Sequence, residues 1–279
     1  MRRKRGGVAI PGALVILVTA VLAALAPMLS PADPVKNRLL DRLTPPMWAE
    51  GGSARYPLGT DTLGRDVASR LLHGARVSLL VGLVAVLIGG TLGVALGLVS
   101  GYYRGWIDDV LMRLGDVQLA FPVLLLGVAV LAVVGPGLWN VILVLGVSGW
   151  ITFARIVRGE TLSLRERDFV EAARAMGAPD GYLIGRHILP HVLPPITVVA
   201  TFSLARVIIA EASLSFLGLG IPPPAPSWGA MLDEGRNYIT TGWWLALFPG
   251  LAILLLVLGI NLVGDWLRDL LDPRMERGL

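Results

Sequence analysis

Val77–Val99 reads VSLLVGLVAVLIGGTLGVALGLV, an apolar run long enough to cross a bilayer as a single helix. Within it and just beyond, Gly89, Gly93, Gly97 and Gly101 recur at a strict four-residue spacing. One helix face therefore carries a groove of small residues. Small residues four apart let helix backbones approach closely in a membrane, so the spacing predicts tight helix contact and not a ligand site.

Comparable runs lie on either side: Val8–Leu29, Leu114–Val134, Leu138–Val157, Leu193–Leu217 and Trp243–Val263. With Val77–Val99 they predict an all-α polytopic membrane bundle of about six transmembrane helices. Composition agrees, because 54% hydrophobic and 16% charged residues, at a mean hydropathy of +0.70, are too apolar for an ordinary soluble domain. Val8–Leu29 follows four positive charges in Met1–Arg5 and could be a signal peptide. Its length favours a membrane helix, although Ala24-Leu25-Ala26 mimics a cleavage site. The Pro-rich segment 30–57 reads as a loop, and Thr60–Arg76 as an interfacial helix. The expected organisation is an N-terminal helix with external loop over 1–75 and a core transmembrane domain over 76–279.

Arginine and lysine orient the bundle. The N-terminal tetrad, Arg104 with Arg113, the cluster Arg158, Arg165, Arg167, Arg174 and Arg186, and the tail with Arg268, Arg274 and Arg277 share one side, while the Gly135–Leu138 turn carries none. That side is expected to be the cytoplasm, with both termini on it. The first external loop, with Lys36, Arg38 and Arg42, dissents, but the rule weakens in long loops. A net charge of +4 placed beside apolar runs suggests membrane orientation and no nucleic-acid partner.

The longest polar interruption in the second half is Asp168–Pro190, DFVEAARAMGAPDGYLIGRHILP. Asp168 and Glu171 have capping-box spacing, and Gly177 before Pro179 is a helix stop. Phe169, Ala172, Ala173 and Met176 form one apolar face, and Asp180 is placed to cap a second short helix that Pro190 ends. Helices this short are marginal alone, so the pair needs a surface to pack on, and another protein is the expected one.

Several chemistries are excluded. Cysteine is absent, which removes disulfides, thiolate nucleophiles and Cys-ligated zinc. The two lysines, Lys4 and Lys36, follow no glycine, so no nucleotide-binding P-loop can be written and any ATP chemistry belongs to a partner. Gly146-Val147-Ser148-Gly149 lacks a histidine base inside a neighbouring span and reads as packing. His187 and His191 have zinc spacing, but no Glu follows the first and Pro190 intervenes, so no metal site is expected. Arg206 and Glu211 lie within the fifth run. Charges there face a bundle interior or a water path, which leaves pathway lining open beside simple solvation or structural pairing.

Four stretches in order resemble the permease subunits of bacterial binding-protein-dependent ABC importers of the dipeptide and oligopeptide type. Glu171-Ala172-Ala173, Gly177 and Leu189-Pro190 look like the EAA motif, with His187 and His191 as departures from the general and peptide-type patterns. Pro57-Leu58-Gly59-Thr60-Asp61 with Gly64-Arg65-Asp66, Ser69-Arg70, Gly74 and Arg76 is similar to the external segment, with Tyr56 where His is common. Glu211-Ala212-Ser213-Leu214-Ser215-Phe216-Leu217-Gly218, then Pro226-Ser227-Trp228-Gly229, resembles the loop after the fifth span, and Asp265 to Arg274 resembles the tail.

The resemblance implies a type I ABC importer permease fold in the bacterial inner membrane. It implies a homologous second permease subunit, two ATPase subunits that hold ATP and magnesium, an extracytoplasmic substrate-binding protein, and no enzymatic activity in this chain. Phe169, Glu171, Ala172, Ala173, Met176, Gly177, Leu189 and Pro190 would then couple to the ATPases. The expected cargo is peptide, with nickel, glutathione or another small solute as alternatives within the family, and a self-contained secondary transporter as the rival from another class.

Overall fold

The computed structural model describes residues 2–271, with side chains from Ala9 onward; the side chains of the basic tetrad, and the tail beyond Leu271 with Arg274 and Arg277, lie outside the described residues. Twelve α-helices follow one another among them: α1 (Arg2–Ala24), α2 (Ala26–Leu29), α3 (Val67–Tyr103), α4 (Gly105–Leu119), α5 (Val123–Val134), α6 (Leu138–Ser148), α7 (Trp150–Leu164), α8 (Asp168–Ala175), α9 (Asp180–Tyr182), α10 (Leu189–Phe216), α11 (Trp228–Gly235) and α12 (Trp244–Leu271). A π-helical turn, Leu183–Ile188, joins α9 to α10. The described residues contain no strand, only an isolated bridge between Thr60 and Asp66.

Four helices, α3, α6 with α7, α9 through α10, and α12, are long and apolar enough to cross a membrane. A fifth candidate is broken. The run expected as one span at Leu114–Val134 is instead α4 and α5, bent by 87°. Pro122 stands at the N-cap of α5 and cannot donate to the preceding turn, so the chain changes direction there. Gln118 braces the break, donating to the Ser148 carbonyl at 2.6 Å and accepting from the Trp150 indole at 2.7 Å.

α3 organises the rest. It contacts three apolar clusters in turn: Val67 and Ala75 meet Ile208, Trp228 and Leu256; Val81 and Ala85 meet Ile142, Leu145 and Leu214; Leu98 and Tyr102 meet Val157, Val170 and Ile188. The region expected to be an interfacial helix is divided, since 60–66 forms a bridged turn and Asp66 caps α3 by accepting from the Ser69 amide at 2.7 Å. The expected division at residues 75 and 76 thus falls inside α3. α1 runs along α12 and crosses it closely where Gly12 meets Gly259; a Cβ on Gly12 would lie 2.7 Å from the Gly259 carbonyl oxygen.

Proline acts differently in α10. Pro190 does not end the second docking helix, because Leu189–Phe216 continues through Pro190, Pro194 and Pro195. Pro190 occupies the first turn of α10, where no intrahelical donor is required, and the wider π turn before it removes the clash a proline makes in an α-helix.

Candidate functional site

The segment Asp168–Pro190 is anchored on one side and open on the other. α8 places Val170 and Ala173 inward, against Leu98 and Tyr102 at the end of α3, Val157 of α7, and Leu183 and Ile188 of the π turn. Tyr102 is the hub. Its hydroxyl donates to Asp180 at 2.6 Å, its carbonyl accepts from Arg165, and the Arg165 and Arg174 guanidinium groups each lie 5.8 Å from its ring centroid.

Two sequence expectations fail here. α8 has Arg167 at its N-cap and no side-chain cap, so Asp168 and Glu171 form no capping box, and Asp180 likewise lies inside α9 with Pro179 as its uncapped N-cap. The carboxylates of the first turn still favour that end through the helix dipole. The apolar face also differs. Of Phe169, Ala172, Ala173 and Met176, only Ala173 packs inward, and the anchor is Val170, which the chosen stripe omitted. Phe169 is 41% and Met176 82% exposed.

Gly177 closes α8 at φ +86°, with the Ala178 amide on the Ala173 carbonyl at 3.1 Å and the Gly177 amide on the Arg174 carbonyl at 2.9 Å. This Schellman closure needs a left-handed residue, and glycine supplies it without strain. The turn folds α9 back toward α8. Between them lies an open groove of about 480 Å³, lined by Phe169, Ala172, Met176, Gly177, Tyr182 and His187 among others. Phe169 also stacks near His191, ring centroids 5.4 Å apart. Leu189, half-buried, and Pro190, exposed, begin α10 directly after the π turn.

The glycine stripe seats α3 on α6 and α7. A Cβ on Gly89, Gly93 or Gly97 would lie 2.7, 2.4 or 2.6 Å from the carbonyl oxygens of Gly146, Trp150 and Ala154, and one on Gly101 would lie 2.7 Å from the Thr161 Cβ. Near that end Arg158 holds Asp108 with two hydrogen bonds of 2.5 and 2.6 Å, tying α7 to α4.

Arg206 and Glu211 have opposite surroundings. Glu211 is fully buried between α3 and α10, accepting from the Ser215 hydroxyl at 2.8 Å and from the Ser78 hydroxyl at 3.3 Å. Its carboxylate is enclosed by these serines, neither solvated nor on an open surface. Arg206 is exposed, with its guanidinium donating to the Ser203 hydroxyl at 3.1 Å. A charge at the centre of a membrane helix costs about 2.5 to 3.5 kcal/mol on insertion scales.

The other end of α3 carries a charge cluster that the sequence reading did not assemble. Arg65 donates to Asp61 at 2.6 Å and to Glu234 at 2.8 Å; Arg70 pairs with Asp61 and donates to Glu234 at 2.6 and 2.9 Å. Asp61, Arg65 and Arg70 are all buried. Glu234 belongs to α11, so the cluster ties the turn at 60–66 to the loop after α10. Beside it Trp244 donates its indole N–H to the Thr60 carbonyl at 3.0 Å, and Tyr56 donates to Asp41 at 2.6 Å. Burial, then the Asp41 hydrogen bond, push the Tyr56 hydroxyl above its ordinary pKa.

Residues 93–277 match the family described as binding-protein-dependent transport system inner membrane component. The chain is 45% identical over 268 residues to the di/tripeptide transport system permease protein DppC of Pseudomonas aeruginosa, covering 96% of this chain and 88% of that protein. It is likewise 45% identical to the glutathione transport system permease protein GsiD of Pectobacterium atrosepticum, covering 98% and 89%, and 40% identical to the dipeptide permease DppC of Haemophilus influenzae, covering 99% and 93%. Its fold is similar to a chain of the inward-facing MetNI methionine ABC transporter, with a TM-score of 0.58 at 22% identity over 73% of this chain and 96% of that one. An α-helical bundle with an exposed apolar edge on α8, and with no nucleotide motif of its own, thus belongs to the family of binding-protein-dependent transport system inner membrane components, the permease subunits of ABC importers and not a family of enzymes.

Proposed function

We propose that the chain forms half of the translocation pathway of an ATP-driven importer carrying peptides of the dipeptide and oligopeptide class across the bacterial cytoplasmic membrane. A homologous second permease supplies the other half. Two ATPase subunits, which hold ATP and magnesium, bind the docking element, and an extracytoplasmic binding protein delivers the cargo. The span count is six, with α1 and the bent α4–α5 pair joining the four long helices, and both termini are cytoplasmic.

One observation carries this reading. The docking element is fixed to α3 and α7 through Val170, Ala173 and Tyr102, yet it leaves Phe169, Ala172 and Met176 uncovered along a groove. An exposed apolar edge on an anchored lever is what a soluble partner grips. ATP binding closes the partners, the lever moves with them, and α7 and α10 rock so that the path opens outward. The GsiD relatives favour glutathione as a second cargo of the same chemistry.

The test is the assembled complex in liposomes with peptide-loaded binding protein. Met176→Asp is expected to lower both peptide uptake and the ATPase stimulation by loaded binding protein by about tenfold or more, the size of a hot-spot loss. Intact stimulation in that variant sinks the lever.

A further inference from the structure

Arg206 is an exposed cation on a membrane helix. It lies about 15 Å along the axis from the end of α10 at Phe216. Among the described residues no carboxylate forms an ion pair with it. Val199, Phe202, Ser203, Ile209, Ala210 and Ser213 share its stripe at helical spacing, and Ser203 accepts its hydrogen bond. The Ser213 hydroxyl is turned back onto the Ile209 carbonyl at 2.8 Å. The guanidinium is therefore the one charge on an otherwise uncharged, largely apolar strip, and at this depth it requires water or an anion opposite it.

The chemistry of that anion follows from the fork. Arginine binds a carboxylate through two parallel hydrogen bonds, a match that a lysine ammonium does not reproduce. Dipeptides, tripeptides and glutathione, the cargoes in the names of the relatives above, differ in side chains but all carry free carboxylate. We propose that Arg206 is a carboxylate-reading residue of the pathway: it pairs with the C-terminal carboxylate of the peptide passing α10, while the apolar strip around it accepts side chains without selecting among them. The proposal rests on the peptide-import reading.

The experiment compares uptake of trialanine and trialanine amide by the assembled complex carrying wild-type, Arg206→Gln or Arg206→Lys chain, with one binding protein throughout so that its own preference cancels. Arg206→Gln is expected to lower the uptake of trialanine about tenfold more than that of the amide, the worth of one charged hydrogen bond, and Arg206→Lys to recover part of the loss. Because the chain has no cysteine, Arg206→Cys gives a single thiol in it. That thiol is expected to react with a hydrophilic maleimide, to be protected by trialanine, and to regain uptake when an aminoethyl thiosulfonate restores the positive charge. Equal loss for acid and amide, or a thiol closed to the maleimide, overturns the proposal. So does loss of the second permease on purification, which would place the matching acid there. A wild-type complex that imports neither peptide overturns the peptide-import reading itself.

Discussion

The two ends of α3, about 55 Å apart, are finished in opposite ways. At the Val67 end, Asp61, Arg65, Arg70 and Glu234 neutralise one another in a nearly closed cluster, and Trp228 and Trp244 pack beside it. At the Tyr102 end, Val170, Leu183 and Ile188 are buried, yet Phe169 and Met176 on the same element face outward. Ion pairs out of water demand complete partnering, because any lost partner leaves a buried charge. Apolar contact has no such demand and can be left half made. The first end is a lock, and the second is an open apolar surface.

Breaking the lock should have the largest effect. Arg70→Ala leaves Asp61 and Glu234 with one cation between them, and Asp61 is only 2% exposed. The expected loss is about 3 to 5 kcal/mol of stability, read by mixed-detergent unfolding of the purified chain. Met176→Asp, on an 82% exposed side chain, should change the same measurement by less than about 0.5 kcal/mol. If the two variants unfold alike, the contrast between lock and open surface is wrong.

How much of this was legible in the sequence depends on how local the signal is. The spans around α3 and the glycine spacing could be read because helical period and small residues lie within a few turns of one another. The lock could not. Arg70 and Glu234 are 164 positions apart, and no period links them. On α8 the apolar residues occupy more than one side of eight residues, so the choice between Phe169 and Val170 as anchor is made by Leu98 and Tyr102, far away in the chain. The prolines teach the same lesson, since Pro122 breaks a span while Pro190 does not. What decides is whether the neighbouring turn can absorb the missing donor. For Arg206 and Glu211 the sequence told that charge was present, but not that one is enclosed by serines and the other exposed.

A smaller change sharpens the picture at the open end. Tyr102→Phe removes the hydroxyl that donates to Asp180 while keeping the ring that Arg165 and Arg174 cover. The expected cost is about 1 kcal/mol, the net worth of one hydrogen bond. It should appear locally, as faster amide hydrogen exchange over 168–182 with exchange at 60–70 unaltered. Equal acceleration at both ends would mean that α3 transmits the loss and that the ends are not independent.

A last effect concerns Asp66, the N-cap of α3, beside the lock but outside its ion pairs. Burial raises its pKa above the ordinary carboxylate range, and this outweighs the Ser69 hydroxyl and amide hydrogen bonds that favour the charged form. Its Oδ1 is buried without a partner, consistent with a site that tolerates the charge poorly. The sign follows. Below the ordinary carboxylate range Asp66 is protonated in both folded and unfolded chains. As pH rises through that range, the unfolded chain releases its proton first, so stability falls until the raised folded value is passed. Asp66→Asn keeps an oxygen acceptor for the Ser69 amide and cannot ionise. The variant should therefore gain stability relative to wild type as pH rises through the ordinary carboxylate range and above it. Thermal unfolding of both chains in one detergent across that range checks it. A wild type that gains on the variant with rising pH would show that the helix dipole and the Ser69 hydrogen bonds prevail over burial.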